Sequence, residues 1–107
     1  MSEKQRELWI NILPEDVEKM LEDKGNFQLI DVREVDEYKA GHIKGAVLIP
    51  LSQLDVRHFE IDRDKETVVV CRSGGRSTKA CEYLSSRGHS RLKNMTGGML
   101  NWKGETE

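Results

Sequence analysis

Residues 67–84 read "TVVVCRSGGRSTKACEYL", from Thr67 to Leu84. Three valines lead into Cys71, and Arg72, Ser73, Gly74, Gly75 and Arg76 follow before the pattern changes. The run "ETVVVC" is the most apolar in the chain and predicts a central strand buried on both faces. Ser77, Ala80, Cys81 and Leu84 then recur at i, i+3, i+4 and i+7, one face of a helix that Gly88 ends. A strand, a glycine-bearing loop and a helix in succession form an anion cradle. Backbone N–H groups turn inward, and the helix adds its unpaired N–H groups and positive dipole end.

The rest of the chain repeats this alternation. "ELWINI" (7–12) predicts a first strand. Pro14 opens a helix at the position where its missing N–H costs nothing, Glu15 and Asp16 suit its positive end, and Gly25 stops it. Leu13, Val17, Met20 and Leu21 make its apolar face. Phe27 to Asp31 predicts a strand, "EVDEYKAG" (34–41) a short helix closed by Gly41, and "AVLIP" (46–50) a strand ended by Pro50. "LSQLDVRHF" (51–59) predicts one or two helical turns. "RLKNM" (91–95) predicts a last strand and "GGMLNWKG" (97–104) a turn with a short helix. The expectation is an α/β fold, a central parallel sheet of about five strands with helices on both faces. In such sheets sites form at the carboxyl ends of strands, which puts Cys71 at the expected place with Asp31 as a possible neighbour.

Bulk properties bound the function. The 107 residues fit one domain, 1–107, with a core over about 12–104. The composition is 36% hydrophobic and 34% charged, with a net charge of −2. That balance gives no reason to expect nucleic acid or an anionic membrane as partner. No run approaches a membrane span, and "MSEKQRELWI" lacks an apolar signal region, so the expectation is a cytoplasmic protein. Two cysteines without C-x-x-C exclude a disulfide scaffold or a zinc ribbon. His42, His58 and His89 match no metal-ligand spacing, and no metal or cofactor is expected.

A thiol at the base of a cradle of N–H groups and arginines is expected to titrate low and to act as a nucleophile on an anion, with no metal and no general base. The loop is not a Walker phosphate loop. Four residues separate Cys71 from Arg76, where phosphatases of the tyrosine and dual-specificity type leave five. Ser77 stands where their arginine would be. The shorter loop predicts a pocket sized for one sulfur atom.

With "CRSGGRS", "LIDVREVDEYKAGHIKGAVLIP" and "GGMLNWKG" in this order, the chain resembles the single-domain rhodanese-like sulfurtransferases over nearly its whole length. The resemblance implies that Cys71 takes a sulfane sulfur from a donor such as thiosulfate, becomes a persulfide, and passes the sulfur to cyanide or a thiol. It implies that Arg72, Ser73, Gly74, Gly75 and Arg76 form the substrate cradle, with Ser77 starting the helix. Asp31 and Arg33 match the family's "DVR" element and read as structural support, a buried ion pair or loop brace. Arg33 and Glu37 also suit an i,i+4 pair. Cys81 reads as a core residue, His42 as a hydrogen-bonded core residue, and Arg57 and His58 as exposed. Met95, Met99 and Trp102 read as core or rim packing, with Trp102 a possible wall of the pocket mouth. Two other readings stay open: a protein-to-protein sulfur-relay or binding module, and a cysteine-dependent phosphatase or arsenate reductase.

Overall fold

The computed structural model describes residues 9–107. Its five strands are β1 (Trp9–Ile12), β2 (Gln28–Asp31), β3 (Val47–Leu48), β4 (Thr67–Val70) and β5 (Leu92–Met95). They form one sheet in the order β1-β5-β4-β2-β3, with every pairing parallel. The helices are α1 (Pro14–Glu22), α2 (Val35–Ala40), α3 (Leu54–Arg57) and α4 (Gly75–Ser86), with short 3-10 turns at Leu51–Gln53, His58–Glu60 and Gly98–Asn101. This is the α/β architecture expected from the sequence.

Thr67–Val70 is buried at every position and lies between β2 and β5. Alternate residues of a strand face opposite sides, so the strand feeds two cores. Val69 and Cys71 pack with Ile30, Val32, Leu54, Ala80, Cys81, Leu84 and Leu92 on the side of α3 and α4. Val68 and Val70 pack with Val17, Leu29, Ile43 and Met95 on the side of α1, with Tyr38 of α2 against them. Helices therefore cover both faces.

The strand order sets the site. After β2 the chain leaves by α2 toward the β3 edge, and after β4 it leaves by α4 toward β5. The two exits diverge between neighbouring strands, which is the switch point where open α/β sheets form clefts. Cys71 follows β4 at that point.

Element ends depart from the sequence reading in several places. Glu7 and Leu8, the start of the expected first strand, lie outside the described residues. The first helix ends at Glu22, and the left-handed residue after it is Lys24 at φ 56°, not Gly25. Leu13 caps that helix and is 54% exposed rather than on its buried face. The second strand starts at Gln28, whose side chain bonds Thr67 Oγ1 and the Asp62 backbone. The third strand has two residues, because only Ile30 and Asp31 of β2 offer it partners.

Candidate active site

The residues after β4 curl back on the Cys71 sulfur. Gly74, in the left-handed region at φ 111°, caps α4 and donates its N–H to Cys71 Sγ at 3.0 Å. A side chain rarely takes that conformation, so glycine is required here. Gly75 has no positive φ, and a Cβ there would meet nothing within 4 Å. Of the two glycines expected to shape the loop, only Gly74 does so by conformation. Gly75 simply begins the helix, two residues ahead of Ser77.

Ser77 sits inside the first turn, fully buried, with its Oγ 3.3 Å from Cys71 Sγ and 3.1 Å from the Gly74 carbonyl. Its position in an otherwise apolar helix face was the signal for this role. Burial pushes the Cys71 thiol up. The Ser77 hydroxyl and the N–H groups of Ser77, Gly74 and Ser73 outweigh it and hold the thiol below its ordinary range. The thiol thus titrates low, as expected, but against an opposing influence: Cys71 has no exposed surface, and desolvation disfavours the anion. Cys81, equally buried but given no such donors, is pushed up to about 12, first by burial and then by the neighbouring Cys71 charge.

Arg76 is held by a carboxylate, and the Cys71 charge adds a smaller share to what raises its guanidinium. Arg76 Nη1 and Nη2 donate to the two carboxylate oxygens of Glu37 at 2.7 and 2.8 Å. That fork–fork pair ties the first turn of α4 to α2 across the switch point, and none of its bonds reaches the sulfur. The guanidinium holds the Glu37 carboxyl at about 2, and the Glu34 backbone N–H at 2.9 Å assists it. Arg72 is exposed and enters no ion pair among the described residues. Ser73 is exposed beside it.

Asp31 and Arg33 form a buried pair. Arg33 Nε and Nη2 reach Asp31 Oδ1 and Oδ2 at 2.9 and 2.8 Å, and Nη2 also donates to the Gly41 carbonyl at 2.8 Å. Asp31 shares its strand face with Leu29, so it points to the side of the sheet opposite Cys71. The pair staples the segment that carries α2. The i,i+4 pair of Arg33 with Glu37 does not form. Arg33 precedes the Glu34 cap and turns back on Asp31, which leaves Glu37 to Arg76.

A second support comes from the C-terminal turn. The N–H groups of Met99 and Leu100 donate to the carbonyls of Cys71 and Arg72 at 2.8 and 3.0 Å. Gly98, at φ 60°, lies against the loop backbone so closely that a Cβ would stand 2.4 Å from the Arg72 carbonyl oxygen. Neither this support nor Glu37 was found from sequence.

The remaining candidates lie elsewhere. His42 stacks on Tyr38 at 3.7 Å and bonds its carbonyl oxygen. Trp102 packs with Val17 and Met95 on the α1 side, not at the mouth of the Cys71 loop. His58 is half-buried, edge-on to Tyr83 and His89, rather than exposed. Arg57 is likewise half-buried and pairs with Glu60. Beside the loop runs a cleft of about 430 Å³, walled by Asn11, Ser73, Gly74, Thr78, Asn94 and Thr96 among others. None of its lining side chains is charged.

The family model for the rhodanese-like domain matches residues 13–105. A protein of Allochromatium vinosum named as a sulfurtransferase is 36% identical over 88 residues, which cover 82% of each chain. The chain is 37% identical over 82 residues to Bacillus subtilis YrkF, whose name describes a sulfur carrier. That match covers 77% of this chain and only 44% of the relative's length. The crystal structure of a rhodanese-like domain protein from Staphylococcus aureus superposes with a TM-score of 0.84 at 31% identity. It covers 91% of this chain and 95% of that one.

Proposed function

Since the chain belongs to the rhodanese-like sulfurtransferase family, we propose that Cys71 is its nucleophile and carries sulfur as a persulfide. The observation that carries this reading is the convergence of the Ser77 hydroxyl and the loop N–H groups on one buried sulfur. Donors so arranged stabilise a thiolate before reaction and the terminal sulfur anion after it.

With thiosulfate as donor, the Cys71 thiolate attacks the outer sulfur. The donor's S–S bond breaks, sulfite leaves with the electron pair, and Cys71 keeps the transferred sulfur as a persulfide anion. Cyanide or a thiolate then attacks that outer sulfur and restores the Cys71 thiolate. No proton has to move in either step, so no general base is required. Arg72, Ser73, Gly74, Gly75, Arg76 and Ser77 form the loop around the reacting atoms. Asp31 and Arg33 support it from the other face of the sheet. Cys71 has no exposed surface, so attack requires some of the residues that enclose it to move.

We read the whole chain as one such domain acting in the cytoplasm, where acceptor thiols are available. No helix among the described residues is long and apolar enough to cross a membrane. The test is mass spectrometry of the intact protein after thiosulfate treatment, paired with thiocyanate formation from cyanide. Wild type gains one sulfur atom and turns over, and Cys71→Ser does neither. An unmodified, inactive wild type would overturn the reading.

A second reading, a relay that passes the Cys71 sulfur to a protein thiol, draws on the likeness to a relative named as a sulfur carrier. Slow thiosulfate turnover beside rapid transfer to a protein thiol would select it. A phosphatase activity is disfavoured by the loop, which closes on a single sulfur. Release of p-nitrophenol from its phosphate ester would reinstate it.

A further inference from the structure

The charges around the loop cancel almost completely. Arg33 is spent on Asp31. Arg76 is spent on Glu37, and Glu34 adds a further negative charge nearby. Arg72 is left as the loop's one cation outside an ion pair among the described residues. The cleft beside the loop is lined by uncharged side chains. A cradle evolved to draw in a dianion would present unpaired cations to it, because a charge's attraction grows with the charge it meets and is lost when a counter-ion sits against it.

We propose that Glu37 is a positioning residue that sets donor selectivity. By holding Arg76 in a neutral fork–fork pair, it steers the site toward sulfane donors of low negative charge, persulfides of thiols above all, in preference to dianionic thiosulfate. This rests on the reading of Cys71 as the sulfur-accepting nucleophile. For a thiol persulfide, the Cys71 thiolate takes the outer sulfur, the S–S bond breaks, and the thiolate of the donor leaves. Atoms and charge balance as they do with thiosulfate.

Two donors separate the charge effect from the chemistry. Thiosulfate carries two negative charges. Methanethiosulfonate carries one, gives up its outer sulfur in the same way, and leaves as methanesulfinate. Glu37→Gln keeps a hydrogen-bond acceptor for Arg76 and removes the carboxylate charge. At low salt it is expected to raise the thiosulfate-to-methanethiosulfonate ratio of kcat/KM by about threefold to tenfold, the size of one added partly screened charge acting on one extra donor charge. Added salt should shrink the gain. Glu37→Gln combined with Arg76→Gln restores the net charge and should return the ratio to within about twofold of wild type.

A ratio that stays flat in Glu37→Gln, or that stays high in the double variant, overturns the proposal while leaving sulfur transfer intact. Wild type that forms no persulfide with either donor overturns both. Should Glu37→Gln fail to fold, wild type alone decides. Its donor ratio is expected to change by less than about twofold between low and physiological salt, and a steep fall would reveal an uncompensated cation cluster and sink the proposal.

Discussion

Ser77 Oγ stands 3.3 Å from the Cys71 sulfur and 3.1 Å from the Gly74 carbonyl oxygen, within reach of both. With Cys71 protonated, the hydroxyl can donate to the carbonyl while the thiol donates to it. With Cys71 ionised, the hydroxyl turns to the sulfur. One rotation therefore follows the charge state of the thiol.

Ser77→Ala removes that donor and leaves burial less opposed. The titration midpoint of Cys71 moves upward, and sulfur uptake at neutral pH falls by about tenfold or more, as expected for a lost hydrogen bond to a charged group. Thiolate absorbance in the ultraviolet, read as the difference between each protein and its Cys71→Ser form, follows the midpoint directly. An unmoved midpoint would show that the backbone N–H groups suffice.

The two cysteines should part sharply with pH. Uptake of sulfur rises as pH rises through the depressed Cys71 value, which lies below the ordinary thiol value of 9.0. Cys81, pushed up to about 12, stays protonated and unmodified throughout. Peptide mass spectrometry after donor treatment at successive pH values places the sulfur on residue 71 or 81. Label on Cys81 at neutral pH would contradict this.

Acid should expose the Glu37–Arg76 pair. The Glu37 carboxyl is held at about 2 against an ordinary 4.5. A depressed acid stabilises the fold above its unfolded value and loses that contribution as pH falls from 4.5 through about 2. Glu37→Gln cannot titrate, so its stability should fall less steeply across that window in urea unfolding series. Parallel curves for the two proteins would mean the pair adds nothing measurable.

Asp31 supports a buried cation. Asp31→Ala strands Arg33, which is 6% exposed, and is expected to cost about 3–5 kcal/mol in urea unfolding. Asp31→Leu with Arg33→Met removes both charges and should recover much of that loss. A double variant as unstable as the single would show that the stranded cation is not what destabilises Asp31→Ala.

Gly98→Ala tests the floor of the loop. The added methyl would meet the Arg72 and Cys71 carbonyl oxygens at 2.4 and 2.5 Å, in a left-handed conformation. A loss of about 2 kcal/mol or more is expected, with sulfur uptake impaired beyond it. Gly75→Ala, into open space, serves as the contrasting substitution and should leave stability within about 1 kcal/mol.

What the sequence revealed, it revealed through local pattern. Thr67–Val70 is an unbroken β-branched run, and period-four spacing at 77, 80, 81 and 84 gave α4 its buried face. The site's partners were less legible. Glu37 and Arg76 are 39 positions apart, and no spacing rule joins residues that distant. Glu37 looked instead like a helix partner for Arg33, which tertiary structure had already committed to Asp31. The contact of Gly98 with the loop left one trace, the consecutive Gly97 and Gly98, both of which adopt positive φ. The counter-ion of Arg76 was not legible, because charge in a sequence does not show which partner it will meet.

The bond from Leu100 to the Arg72 carbonyl reaches the sulfur by geometry alone. In a trans peptide plane the carbonyl and the next N–H point in opposite directions. Pulling the Arg72 oxygen toward Leu100 therefore aims the Ser73 N–H the other way, and that N–H is among the groups that lower the Cys71 thiol. The turn at the end of the chain works as a lever on a dipole. Shifting it by a fraction of an ångström would retune the thiol without touching it.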